Sequence, residues 1–491
     1  MSEHKYTQFI KSIQNKKILC IGDIILDNFS DNQIIKISDE DPVFVIKEKE
    51  SFYKLGGVGN VALNLSHTGA KVKLITLGSN DDNFKIIRNI LKEKNIKSKI
   101  FYKNNRITTL KKRYYINQHH LLRHDNENTQ NTSKLFSDKI ILYLNEYFKN
   151  NTCDVILVSD YGKGIITQYF FKKLYYLTKI YNINIFTDPK SKNLEIYNGS
   201  FVLKTNKNEI NNYLLNYKKN IDQIDRNLQQ RKIILKILSR LKIENLIITR
   251  SENSSIIIQN GKKKNLLFIN VHSSEIVNTT GAGDTFFSYF AINYIINSNL
   301  RDATEFAHLF SKFAINRFGT YAPSFSQIFL KILKIKNISF SKDKLILKKI
   351  ISDLKNKKIK IGFANGCFDI LHAGHINLLR KAKSKCDFLI LGLNNDISVK
   401  KNKGKKRPYN DIETRSLIMS SLSFVDLICI FDEITPLNLI KYIKPDLLFK
   451  GSDYVAKDVI GYKFLQQHKG KVIIIQNYKN YSSTKTIKKI N

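Results

Sequence analysis

This chain predicts two α/β units in tandem, each a mostly parallel sheet covered by helices. Three observations predict it. Short apolar runs alternate with amphipathic helical patterns along most of the chain, as in strands joined by crossover helices. That alternation is interrupted near 340–358 by a lysine-rich helical pattern and then resumes. The length, 491 residues, is also too great for one ordinary domain.

In the first series KKILCIGDI (16–24), KVKLITLGS (71–79), CDVILVSD (153–160), INIFTD (183–188), SFVLKT (200–205) and ENLIITR (244–250) read as strands. Between them lie amphipathic segments such as TQYFFKKLYYLTKIY (167–181). Residues 100–125 have little helical period and read as paired strands, a small β lid on the α/β body. From about 323 to 358 FSQIFLKILKIKN and SKDKLILKKIISDLKNKK read as helix. A second series follows: KIKIGFANG (358–366), FLILGLNND (388–396), VDLICIFDE (425–433), PDLLFKGSDY (445–454) and KVIIIQN (471–477). The expected division is 1–338, a helical linker over 339–358, and a small doubly wound unit over 359–491. No short-period repeat is present.

Composition narrows the class. Cys20, Cys153, Cys367, Cys386 and Cys429 are scattered without a C-x-x-C or metal spacing, which suits a reducing cytosol. The start, MSEHKYTQFIKSIQNKK, has no apolar signal region, and the longest uncharged stretch, 285–300, is too short to span a bilayer. A soluble cytoplasmic protein without a membrane partner is expected. The formal charge of +39 is spread over the whole chain, as in a compositional bias, rather than gathered with interleaved aromatics. It therefore steers phosphorylated substrates and is not read as a nucleic-acid surface.

Chemistry concentrates in two places. The first is NTTGAGDTFF (278–287). Gly281, Ala282 and Gly283 precede a helical run, so backbone N–H groups converge at a helix N-terminus and form an anion hole for a transferring phosphoryl group. Asp284 lies beside that anion, placed to take the proton of an attacking hydroxyl. The plainer reading is a tight turn with Asp as a cap. No G-x-x-x-x-G-K-[ST] occurs, which excludes a Walker-type kinase. With GDIILD (22–27), GGVGN (56–60), SDYGKG (159–164), DPKSKN (188–193) and TNKNE (205–209), residues 1–330 resemble the ribokinase-like carbohydrate kinases. GVGNVA (57–62) also fits a dinucleotide fingerprint, but ESFYKL before it is a poor buried strand.

The resemblance implies a three-layer sandwich with a β lid, ATP as phosphoryl donor and Mg²⁺ as cofactor. It implies sugar contacts from Asp23, Asp27, Gly56, Gly57 and Asn60, and ATP contacts from Asn206, Lys207, Asn208 and Glu209, Glu209 also lying near the metal. Lys163 and Lys190 read equally as solvated loop charge. The family usually carries Asp where this chain has Asn278, a departure that bears on metal ordering.

The second place is NGCFDILHAGH (365–375). His372 and His375 share one side of a helix's first turn, with Gly374 between them, and can donate to oxygens around a five-coordinate α-phosphorus. A zinc site would need a third ligand at usable spacing, which is lacking, and two polar rings beside Gly fill a core poorly. With NND (394–396), KGKKRP (403–408), ETR (413–415), KGSDY (450–454) and SSTKTI (482–487), the second unit resembles the cytidylyltransferase-like nucleotidyltransferases. The resemblance implies a Rossmann-like domain. Nucleotide contacts would come from Asn365, Gly366, Phe368, Asp369, Lys403, Arg407, Lys450, Ser482, Ser483 and Thr484. Ser452 replaces a Gly common in that family.

In this order the two domains resemble the bifunctional heptose 7-phosphate kinase/heptose 1-phosphate adenylyltransferases of lipopolysaccharide synthesis. KISDEDPVFVIK (36–47) resembles a segment peculiar to those kinases. That resemblance implies a homodimer acting on sugar phosphates and ATP with Mg²⁺. Two alternatives stay open: another sugar kinase fused to a glycerol-phosphate cytidylyltransferase, or a basic binding protein that has lost turnover.

Overall fold

The computed structural model describes residues 12–476 apart from 104, 118, 192, 227, 251–253, 261–264, 271–280, 316–321, 324–326, 328–336 and 342. The chain forms two compact units, Met1–Pro323 and Ser324–Asn491.

The body of the first unit is built from β1 (Lys17–Gly22), β4 (Lys71–Gly78), β5 (Lys97–Tyr102), β8 (Val155–Ser159), β9 (Asn184–Asp188), β10 (Val202–Asn206), β11 (Asn245–Arg250), β12 (Ser254–Gln259) and β13 (Asn265–Asn270). Among the described residues these strands make one sheet in the order β13-β12-β11-β10-β9-β8-β1-β4-β5. All pairings are parallel except β11/β12 and β12/β13. The parallel strands are apolar on both faces because helices cover both: Leu19, Cys20 and Ile21 of β1 and Ile156 to Val158 of β8 are buried. In the helix Gln168–Ile180, Thr167 caps Phe170 N–H, and Phe170, Phe171, Leu174 and Leu177 turn inward at helical spacing. The helix Ala282–Asn297 lies deeper, with Phe286, Phe287, Tyr289, Phe290 and Ile292 all buried.

The lid differs from expectation. Its sheet consists of β2 (Ile24–Ile37), β3 (Phe44–Gly57), β6 (Leu110–Ile116) and β7 (His119–Asn126), in the order β3-β2-β6-β7. Residues 97–102, partly assigned to the lid from sequence, belong to the body as edge strand β5 beside β4. The long β2/β3 hairpin supplies the other half of the lid, and 36–47 is its tip, closed by Ser38 N–H on the Val43 carbonyl. The outer half of β2 is exposed and carries lysine and asparagine, so the apolar alternation that marks a strand fades there.

The second unit carries β14 (Asn337–Ser339), β15 (Ile361–Gly366), β16 (Phe388–Asn394), β17 (Leu427–Phe431), β18 (Leu447–Gly451) and β19 (Lys471–Ile475). Among the described residues they form an all-parallel sheet in the order β14-β17-β16-β15-β18-β19. The order reverses between β15 and β18, which opens a crevice beyond their carboxyl ends. The expected linker over 339–358 is corrected here. Its first residue ends β14, which pairs with β17, and the helix Lys344–Asn356 buries Ile346, Leu347, Ile350, Ile351 and Leu354. Lysines on the outer face disguise that inner stripe, so the segment reads as linker while acting as core.

Candidate active sites

The first site also lies at a reversal of strand order, between β1 and β8. Asp23 follows β1, and its Oδ2 accepts from the N–H groups of Tyr161 (3.0 Å) and Lys163 (2.9 Å) in the loop after β8. Its Oδ1 is buried with no partner among the described residues. Gly57 approaches so closely that a Cβ would stand 2.3 Å from the Asp23 carbonyl, and its φ of 57° is left-handed. That turn starts the helix Val58–Thr68 and sends Asn60 inward.

Asp284 stands in the first turn of the helix Ala282–Asn297, entered through Gly281 at φ 79°. Both carboxylate oxygens are held: Asn60 Nδ2 donates to Oδ2 at 2.9 Å and the Tyr161 hydroxyl to Oδ1 at 2.7 Å. Asn64 Nδ2 reaches Asn60 Oδ1 at 3.1 Å and so sets the orientation of that amide. Burial lifts the Asp284 carboxyl above the ordinary range, and Asn60, Tyr161 and Lys204 pull it back. Lys204 is buried, ion-paired to Asp188 at 3.1 Å, and its Nζ lies 3.1 Å from where a Gly283 Cβ would stand. A cation therefore reinforces the helix N-terminus of the anion hole. Burial raises Asp23 as well, and pushes Asp160 and Asp188 up to about 7.

Other expected residues occupy different positions. Asp27 is buried in an ion pair with Arg113, so its carboxylate is committed to the lid. Asn206 and Glu209 form a reciprocal capping box on the helix Lys207–Leu215, each bond 2.9 Å. Glu209 keeps Oε1 outside that box, 3.8 Å from Lys190. Lys207 pairs with Asp222 at 2.8 Å. Lys163 is not solvated: it is buried and paired with Glu127 at 2.6 Å. Arg106 donates to the Lys163 carbonyl, and Lys111 lies over the Tyr161 ring, 5.7 Å away. Burial holds Lys111 below its usual range, and it has no ion pair among the described residues. Asn278 lies outside the described residues.

In the second unit Asn365 and Gly366 end β15, Lys450 ends β18, and Lys450 Nζ points to the Asn365 carbonyl at 3.5 Å. His372 caps the helix Ala373–Lys383, and the two imidazoles stack with centroids 3.7 Å apart. Three buried polar atoms converge there without partners among the described residues: Asn365 Oδ1, His372 Nδ1 and His375 Nδ1. Burial lowers both imidazoles, His375 to about 3, so both are neutral at physiological pH. Lys403 adds positive potential beside them, and burial brings Lys450 down to about 8.

Phe368 and Asp369 are corrected from ligand contacts to supports. Phe368 is buried and packs on His375 at 4.9 Å. Asp369 has no exposed side-chain surface: it pairs with Arg407 and accepts from Tyr409 N–H (2.7 Å) and Asn410 N–H (3.1 Å). Arg407 is thereby tied to Asp369, one charge of the pair already neutralised. Arg415 of the ETR motif, fully buried, donates to the carbonyls of Cys367 (2.8 Å), Asn394 (2.8 Å) and Asn410 (3.0 Å) and to Asp396 (2.6 Å). Ser482, Ser483 and Thr484 lie outside the described residues. Among the described residues no three His, Cys, Asp or Glu side chains cluster as a metal site, and no helix is long and apolar enough to cross a membrane.

Comparison with known proteins follows the same division. Residues 15–327 match the pfkB family carbohydrate kinase model and 363–489 the cytidylyltransferase-like model. A bifunctional protein HldE of Aliarcobacter butzleri is 34% identical over 481 residues, covering 96% of this chain and 97% of that protein. One from Campylobacter fetus subsp. fetus is 33% identical, covering 96% and 99%. Among solved structures, phosphofructokinase-2 of Escherichia coli in complex with substrates and products superposes with a TM-score of 0.52 at 14% identity, over 65% of this chain and 98% of that one. That likeness concerns the fold of the first unit.

Proposed function

Because the chain belongs to the pfkB carbohydrate kinases and, over nearly its whole length, to the family of the bifunctional protein HldE, we propose two separate sugar-phosphate reactions. The first unit transfers the γ-phosphoryl group of ATP to O1 of D-glycero-β-D-manno-heptose 7-phosphate, giving the 1,7-bisphosphate and ADP. A separate phosphatase removes the 7-phosphate. The second unit then transfers AMP from ATP to heptose 1-phosphate, giving ADP-heptose and pyrophosphate for lipopolysaccharide core synthesis. The observation that carries this reading is a buried carboxylate beside an anion hole in one unit and paired neutral imidazoles in the other.

In the kinase step Asp284 takes the O1 proton as the O1–phosphorus bond forms and ADP leaves. The raised proton affinity of its carboxyl suits that task. Gly281 to Gly283 and Lys204 receive the charge on the transferring group. Asp23 Oδ1 is the free acceptor for a sugar hydroxyl. Lys111, with Arg106 and Lys163 beside it, suits a sugar that already carries phosphate. Glu209 Oε1 fits a role in holding Mg²⁺, since that ion needs only one or two carboxylates besides phosphate oxygens. When bound there, the ion would screen the phosphate charge.

The adenylyl step has no hydroxyl to deprotonate. A phosphate oxygen attacks the α-phosphorus, the bond to the β-phosphate breaks, and pyrophosphate leaves. Neutral imidazoles serve as donors to the five-coordinate phosphorus, and Lys450 and Lys403 offset the added charge. A homodimer is supported by the exposed apolar outer lid, with Ile35, Ile37, Val43 and Phe44 uncovered. Free cysteines suit a cytoplasmic location.

The test supplies the full chain with ATP and heptose 7-phosphate while following ADP, then with heptose 1-phosphate while following pyrophosphate. Turnover of both supports the reading. Preference for CTP with glycerol phosphate in the second reaction would replace it with the cytidylyltransferase alternative.

A further inference from the structure

Tyr161 stands outside every motif role assigned above, yet it touches the base directly. Its hydroxyl donates to Asp284 Oδ1 at 2.7 Å, its N–H to Asp23 Oδ2 at 3.0 Å, and its ring faces the Lys111 ammonium. The loop that carries it is fixed from both sides: Lys163 N–H also donates to Asp23, and Gly162 N–H donates to Asp160 at 2.7 Å. Asp160 in turn accepts from the buried Tyr197 hydroxyl. A hydroxyl held by that much structure is aimed rather than incidental.

We propose that Tyr161 is a positioning residue for phosphoryl transfer, its hydroxyl setting the plane of the Asp284 carboxylate while Asp23 acts on that carboxylate through the Tyr161 loop. This rests on Asp284 being the proton acceptor. A carboxylate has about four acceptor lobes, so oxygens already held by Asn60 and Tyr161 keep one free for the sugar hydroxyl. With both donors in place the carboxylate cannot rotate out of line. The Tyr161 bond also favours the ionised form, opposing burial. The other groups that act on Asp284 are Lys204 of β10, which favours ionisation, and Asp27 of β2, which opposes it; Asp188 of β9 acts on the tyrosine. Burial and the neighbouring carboxylates hold the phenol well above its ordinary range, so Tyr161 stays a donor throughout neutral pH.

The experiment compares Tyr161→Phe with the parent full chain. With heptose 7-phosphate, kcat at pH 7 is expected to fall about 10- to 100-fold, the worth of one hydrogen bond to a charged group, with KM for the sugar changed less than about twofold. The acid limb of the pH–rate profile should move to higher pH, so the deficit narrows toward pH 9. A second readout needs no substrate. In the chain labelled with carboxyl-¹³C aspartate, the Asp284 resonance, identified by its loss in Asp284→Asn, should titrate at higher pH in Tyr161→Phe. An equal loss at all pH values, or an unmoved Asp284 titration, overturns the proposal. If Asp284→Asn keeps kinase turnover, the base assignment fails instead; if it is inactive and Tyr161→Phe is normal, only the role of Tyr161 fails.

Discussion

The two units solve opposite electrostatic problems with one force. Both sites lie where strand order reverses, beyond the carboxyl ends of β1 and β8 in one sheet and of β15 and β18 in the other. In both, burial penalises charge. For Asp284 that raises proton affinity, which helps a group that must accept a proton. For His372 and His375 it lowers proton affinity and keeps neutral donors where nothing needs deprotonating. Desolvation therefore has no fixed catalytic meaning: its effect depends on whether the neutral form is the acid or the base.

The separateness of the halves is the first thing to test. A second unit begun at residue 324 should fold and transfer AMP. One begun at 359 loses β14 and the five buried aliphatic side chains of Lys344–Asn356. Each such side chain contributes about 1.5–3 kcal/mol on burial, so the shorter chain is expected to lose cooperative melting and activity together. A sharp melt and full activity from 359 onward would restore the linker reading.

Next comes the base. Asp284→Asn should lower kinase turnover about 10²- to 10⁴-fold and leave pyrophosphate release in the same chain unchanged. A kinase rate within about threefold of the parent would remove the contrast between the sites.

The imidazoles should be worth somewhat less. His375→Ala is expected to cut kcat for adenylyl transfer about 10²- to 10³-fold with a modest change in KM for ATP. His372→Ala should act likewise, and the double variant less than additively, since both donors serve one charge. Rescue by Zn²⁺, or an unchanged kcat with a large rise in KM, would discard the donor role.

The smallest effect is on pH. His375 is lowered to about 3 in the folded chain and returns to about 6.5 when unfolded, so the unfolded chain binds the extra proton first. Its contribution to stability is fully present above about pH 6.5 and is lost as pH falls toward 3. Melting of the second unit should therefore weaken over that window, and His375→Phe should flatten the trend. Adenylyl transfer should show no histidine limb between pH 5 and 8, whereas the kinase acid limb should lie above the ordinary carboxylate range.

The body strands were legible because strands covered on both faces are continuous apolar runs, as in β1, β8 and β15. The outer lid was not, since half of β2 faces water, and β14 is only three residues long. Asp284 and the histidines announced themselves through neighbouring glycines. Tyr161 gave no such signal, because its meaning comes from a partner 123 residues away. Asp369 and Asn206 were found for the wrong reason: their motif positions are real, but their polar atoms hold up loops and helix ends.

Arg415 has a consequence for how this sequence can vary. Of 81 basic residues only thirteen are arginine, so lysine carries nearly all positive charge wherever a single point charge suffices. Arg415 binds three carbonyls and a carboxylate from four separate stretches of chain, a task that a planar fork performs and one ammonium does not. The drift toward lysine stops at such positions. In a chain this saturated with lysine, each surviving arginine is a pointer to geometry, and Arg106, Arg113 and Arg407, all bound to named oxygens beside the two sites, fit the same rule.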